Sequence, residues 1–229
     1  MNQSRFDIFK NSIAATFGLM LFAVGTYLII QANIGVDPWD AFSLGLAKQW
    51  GILYGDASII ISFAVIGVDL LLKEKIGIGT VLDAIVVGKT VDLLNWIDLV
   101  PPQENLWAGI AMLMVGFLIA GFSQYMYMKA GLSCGPRDAM QVAIARRLHK
   151  IPIGGVNVII LAVVLVVGWQ LGGPIGIGTI ISPFAAGGMQ QLAFSLMKFE
   201  PKTVQHQDFI ESCKILFGKT RGAKDEQGR

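Results

Sequence analysis

The chain has 229 residues, 54% of them hydrophobic and only 15% charged, a composition that excludes an ordinary soluble domain and makes lipid the solvent for much of the molecule. Its formal net charge of +2 comes with no nucleic-acid motif, so no nucleic-acid partner is expected. Two separated cysteines, Cys134 and Cys213, and two isolated histidines, His149 and His206, form no ligand cluster, which leaves no expected metal site.

The first apolar stretch, 12–32, follows Arg5 and Lys10 as the core of a secretory signal would. It is too long for that role and lacks a small-residue cleavage site, so it should remain in the mature protein. Further apolar stretches cover 57–72, 76–97, 106–128, 154–171 and 175–197. Each approaches or reaches the ~20 residues that cross a ~30 Å hydrocarbon layer at 1.5 Å per residue. The reading is an all-α membrane protein of six transmembrane helices. Two shorter segments, 38–50 and 136–148, each open on a proline. At ~20 Å of helix they are too short to cross, and the second carries Arg137, Arg146 and Arg147. They are read as partly inserted or surface-lying helices.

Cation placement sets the orientation. With the N-terminus inside, Lys48 alone falls outside and Lys89 lies within a span, while the remaining Lys and Arg fall in cytoplasmic segments. This divides the chain into a cytoplasmic N-terminal segment (1–11), a first membrane repeat (12–97), an external loop (98–105), a second repeat (106–198) and a cytoplasmic tail (199–229). Apolar residues at helical spacing in 209–217 suggest a helix lying on the inner leaflet. Both cysteines fall on the cytoplasmic side, where thiols stay free.

The repeats are visible by self-comparison. Ile76-Gly77-Ile78-Gly79-Thr80 recurs unchanged as Ile175-Gly176-Ile177-Gly178-Thr179, and Pro38-Trp39-Asp40-Ala41 matches Pro136-Arg137-Asp138-Ala139. Gly18 with Gly116 and Ala32 with Ala130 keep the same register. Three spans per copy is an odd number, so the second copy must start on the opposite side of the membrane. Inverted-topology repeats recur in secondary transporters, whose halves exchange conformations around a site near the midplane. Duplication can also simply build a larger bundle, as in some channels and scaffolds.

Gly35-Val36-Asp37-Pro38-Trp39-Asp40-Ala41 after the first span and Ile76-Gly77-Ile78-Gly79-Thr80 opening the third together resemble the YczE/YyaS/YitT family of bacterial membrane proteins. The resemblance covers about 12–198. It implies a multi-pass protein of the bacterial plasma membrane and supplies no substrate. The chain ends in a short tail where YitT-type members carry a soluble domain, so it is more similar to the YczE branch.

Candidate chemistry lies in three places. Asp40 and Asp138 sit in the first turns of the short helices, where they can satisfy backbone amides and suit the helix dipole, or line opposite mouths of one pathway, Asp40 outward and Asp138 inward. Trp39 and Asp37 become Arg137 and Gly135 in the second copy, so the mouths are unequal. Glycines 77, 79, 176 and 178 serve close helix packing or leave helix N-termini open to an anionic group; they fit no dinucleotide or P-loop pattern. Span three holds Asp83, Lys89 and Asp92. Ionisable groups in hydrocarbon are costly and should face protein or a water-filled cavity. Lys89 and Asp92, three apart on one helix face, can neutralise each other; for Asp83 a local capping role with Thr80 is plausible on spacing. Their second-copy equivalents are Ser182, Gly188 and Gln191, beside Pro183 and the Gly187-Gly188 pair, which can break or bend span six.

The expected function is that of a secondary transporter or exporter of a small organic solute by alternating access, with no cofactor, no catalytic constellation and a homo-oligomer as one arrangement. The alternative is a non-catalytic accessory or scaffold protein assisting another enzyme, favoured by the scarcity of polar residues in spans one, four and five.

Overall fold

A computed structural model describes residues 5–74, 77–129, 135–148 and 151–199, which form eight α-helices and, among the described residues, no strand. In chain order they are α1 (Arg5–Gln31), α2 (Pro38–Trp50), α3 (Tyr54–Leu71), α4 (Ile78–Ile97), α5 (Leu106–Lys129), α6 (Pro136–Arg147), α7 (Ile153–Gln170) and α8 (Ile177–Leu196). Helices α1, α3, α5 and α7 are long and apolar enough to cross a membrane. Helices α4 and α8 have 20 residues each, so length does not separate them from the other four. Composition does: α4 carries Asp83, Lys89 and Asp92, and α8 carries Pro183, Gln190 and Gln191. The tail helix expected over 209–217, both cysteines and both histidines lie outside the described residues.

The two Ile-Gly-Ile-Gly-Thr segments fold by the same device. The Thr80 hydroxyl accepts the Gly77 N–H at 3.4 Å, and the Thr179 hydroxyl accepts the Gly176 N–H at 3.2 Å, so each threonine satisfies a backbone donor that the helix start leaves free. Helix α2 starts where Asp37 accepts the N–H groups of Trp39 (2.7 Å) and Asp40 (3.1 Å), with Pro38 pre-set at the first position. It stops at Gly51, whose φ of +65° lets its N–H return to the Ala47 carbonyl.

The centre of the fold is the α1–α5 contact. A Cβ built on Gly25 would lie 2.7 Å from the Gly116 carbonyl oxygen, and one on Gly116 would lie 2.8 Å from that of Gly25. Only paired glycines let these backbones meet. A Gly116→Val variant should therefore lose about 1–3 kcal/mol to overpacking, read as a lower thermal midpoint in detergent; an unchanged midpoint would show that α1 and α5 do not pack here. Helix α4 flanks α1, and α8 flanks α5. The short helices cross over: α2 packs on α7 as well as α3, and α6 on α3 as well as α7.

Two open alternatives are narrowed at this level. The first short helix does not lie on the surface, because Pro38, Asp40, Ala41, Ser43, Gly45, Leu46 and Ala47 are all buried. The sequence shows that it is too short to cross, whereas its small residues let it sink between α3 and α7. Helix α8 is not broken, since it runs from Ile177 through Pro183 to Leu196. In a membrane helix, neighbouring groups can compensate the proline's missing donor.

The halves differ in one contact. Gly55 of α3 and Gly88 of α4 abut, a Cβ on Gly88 lying 2.8 Å from the Gly55 carbonyl oxygen. Their counterparts 99 positions on, Gly154 of α7 and Gly187 of α8, have no atom within 4 Å of where a side chain would begin.

Candidate functional site

A cavity of about 200 Å³ lies inside the bundle, lined from both halves of the chain. The first turns of α2 and α6 meet at it. Helix α2 contributes Asp37 and Asp40, and α6 contributes Arg137 and Asp138; Asp83 joins them from α4. These turns touch directly, with the Arg137 guanidinium 5.0 Å from the centre of the Trp39 ring, a cation–π distance. Trp39 and Arg137 occupy matching positions in the two copies, so equivalent points of the repeats face each other.

Asp40 is almost fully buried, at 3% exposure, and accepts the Tyr54 hydroxyl proton at 2.7 Å. Burial of a carboxylate demands such donors and nearby positive charge. The charge comes from Arg137, which lies within electrostatic reach of Asp37, Asp40 and Asp83, and also of Asp138. Gly135 makes room for the remaining acids: where its side chain would begin, the Asp83 carboxylate is 3.0 Å away and that of Asp138 is 4.0 Å away.

The structure thus gathers Asp40, Asp138, Arg137 and Asp83 into one chamber. That corrects the placing of Asp40 and Asp138 at opposite mouths, because α2 and α6 both aim their N-termini inward. Asp83 faces this chamber, and the Thr80 hydroxyl accepts the Gly77 N–H.

Lys89 and Asp92 lie outside the cavity lining. The Lys89 ammonium pairs with Asp56 of α3 at 2.5 Å and approaches Asp92 only to 4.0 Å. Asp92 instead accepts the Gly55 N–H at 2.7 Å, one of the donors left free at the α3 start. Lys89 is also 54% exposed rather than enclosed by protein, since its long stem carries the charge out to the first turn of α3. The expected mutual pair is therefore a three-membered latch between α3 and α4. Pro183 is exposed and is not among the residues lining the cavity.

Sequence reasoning missed the polar face of α3. Tyr54, Ser58 and Ser62 line the cavity at intervals of four residues, the spacing that stacks side chains on one helix face. That stripe was the available signal, and it was hidden by the small, weakly polar serines. Asp69 extends the same helix, fully buried, with neither carboxylate oxygen hydrogen-bonded among the described residues; it too was overlooked.

Residues 9–194 match the family described as "Family of unknown function (DUF6198)". The chain is 31% identical to an uncharacterised protein of Haemophilus influenzae over 189 residues, covering 82% of this chain and 85% of that one. It is 31% identical over 190 residues to the uncharacterised membrane protein YczE of Bacillus subtilis, covering 82% and 84%. It is 29% identical over 177 residues to the uncharacterised protein YyaS of the same organism, covering 75% and 86%. No solved structure matches.

Proposed function

The chain belongs to the DUF6198 family, whose description names no function, and from its cavity we propose that it is a secondary transporter or exporter of a small organic solute, working by alternating access in a bacterial plasma membrane. In this reading α4 and α8 also cross, the two three-span halves are inverted, both termini are cytoplasmic, and the solute passes unchanged. The observation that carries the reading is the cavity itself, closed in by the matching first turns of α2 and α6. A scaffold has no need of a chamber lined by four acids and an arginine, which are costly groups to hold within a membrane.

Two further features support alternating access. The short helices are exchanged, α2 against α7 and α6 against α3, so motion of one half against the other moves both walls of the cavity. The equivalent contacts also differ, the Gly55–Gly88 approach being closed and its Gly154–Gly187 counterpart open. With the N-terminus inside, the closed contact lies toward the exterior and the open one toward the cytoplasm. This is the asymmetry expected of one of two exchangeable states, and in the other state Gly154 and Gly187 should meet.

A disulfide test reads this directly. A Gly154→Cys/Gly187→Cys variant, with Cys134 and Cys213 replaced by serine, should form an internal disulfide under mild oxidation, because the bridge needs Cβ atoms about 3.5–4.5 Å apart. Peptide mass mapping would identify it. Absence of the internal link in membranes and in detergent, with the variant folded, would sink the alternating-access reading; a link between two chains would point instead to a homo-oligomer contact.

A further inference from the structure

The charge balance of the cavity selects a solute. Asp37, Asp40, Asp83 and Asp138 supply four carboxylates to one guanidinium, Arg137. The first turns of α2 and α6 each add about half a positive charge from the helix dipole. The ionised cavity is therefore left about two negative charges in excess, and one bound proton would not reverse the sign. Opposite charges attract more strongly in a site walled by protein than in bulk water, so an anion is disfavoured despite Arg137.

A second observation points to a ligand. Thr26, Ser58 and Ser62 line the cavity at 4%, 5% and 4% exposure, and none of the three hydroxyls has a hydrogen-bond partner among the described residues. Their oxygens are not among the fully enclosed atoms that lack a partner, so they open on the cavity, where a solute can bond to them. They sit on the α1 and α3 walls, facing the acids of α2, α4 and α6. A solute with N–H donors would bond to hydroxyl and carboxylate oxygens at once.

A metal ion fits poorly. Among the described residues no three His, Cys, Asp or Glu side chains converge closely enough to hold one, and hard cations need several oxygens on one centre. The remaining wall is mixed, with Gln124 and Gln190 beside aliphatic residues, and it includes the aromatic rings of Phe22, Phe117 and Tyr127, which suit the face of an organic cation better than a hydrated ion. The chamber of about 200 Å³ is smaller than the common range for drug-sized ligands. Resting on the cavity assigned above, we propose that the solute is a small organic cation, an amine or guanidine whose N–H groups span from Asp83 and Asp138 to Ser58 and Ser62.

The test uses the full chain purified in detergent, with thermal stabilisation as readout, since a ligand that binds the folded state raises the midpoint by mass action. The probes are 1,4-diaminobutane, tetramethylammonium, guanidinium, sodium, magnesium, acetate and inorganic phosphate. Saturable stabilisation by 1,4-diaminobutane or guanidinium is expected, less by tetramethylammonium, which has no N–H group, and none by the anions at matched ionic strength. Asp138→Asn and Asp83→Asn, made separately so that one folding failure does not decide the matter, should weaken that binding by about tenfold or more, the worth of one charge-assisted contact. Asp98→Asn, outside the cavity, should leave it unchanged. Stabilisation by acetate or phosphate, a response to sodium, magnesium or tetramethylammonium equal to that of the amines, unaltered binding in folded Asp138→Asn and Asp83→Asn variants, or no response to either 1,4-diaminobutane or guanidinium would each overturn the proposal. The internal disulfide at 154 and 187 decides alternating access independently, so the two ideas fail separately.

Discussion

Replacing Gly35 with alanine should leave little folded protein, the largest loss expected of any single methyl group in this chain. Gly35 has φ +101°, a conformation in which a side chain is strained by about 1–3 kcal/mol. The added Cβ would also run into the Gly176 backbone nitrogen and lie 2.8 Å from both the Gly176 Cα and the Thr179 hydroxyl. Overpacking against backbone adds about 1–3 kcal/mol, and pushing the segments apart breaks the Gly178 N–H bond to the Ile34 carbonyl, 2.7 Å long. The sum, about 3–7 kcal/mol, reaches the lower part of the range that holds a typical domain together, about 5–15 kcal/mol. Gly51 provides the control: its φ is also positive, at +65°, yet nothing lies within 4 Å of the position a Cβ would take. Gly51→Ala should cost only the strain, about 1–2 kcal/mol. Protease resistance in membranes and the thermal midpoint in detergent would measure both. Equal behaviour of the two variants would mean that the α1–α2 connection does not seat on the start of α8.

The helices were legible because their signals are local. Lipid-length apolar runs, Pro38 after Asp37, and the threonine that closes each Ile-Gly-Ile-Gly-Thr segment act over a few residues, and these elements appear at close to their expected bounds. The cavity was legible only in its parts. Asp40, Arg137, Asp138 and Asp83 could be singled out by the cost of charge in a membrane, but whether a partly inserted helix aims its N-terminus inward or outward depends on packing across the whole chain. Lys89 and Asp92 illustrate the same limit. Their spacing made them neighbours, while the competition from Asp56 and from the Gly55 N–H is visible only once α3 lies against α4.

Arg137→Met should show the second large effect. It removes the guanidinium from a chamber that holds Asp37, Asp40, Asp83 and Asp138, and leaving a buried charge uncompensated costs about 3–5 kcal/mol. Arg137 is half-buried, so the lower end, about 3 kcal/mol, is expected. Adding Asp40→Asn removes the most deeply buried of those acids while keeping a side chain that accepts the Tyr54 hydroxyl proton. The double variant should therefore recover much of the lost thermal midpoint, a coupling that a double-mutant cycle measures. Arg137→Lys should fall between wild type and Arg137→Met, because it retains charge but loses the planar group stacked on Trp39. If Arg137→Met folds as well as wild type, the arginine is not the counter-charge of this cavity. The folded double variant also separates the solute classes: a cation held by Asp83 and Asp138 should still bind, whereas a solute anchored as an anion on Arg137 would be lost.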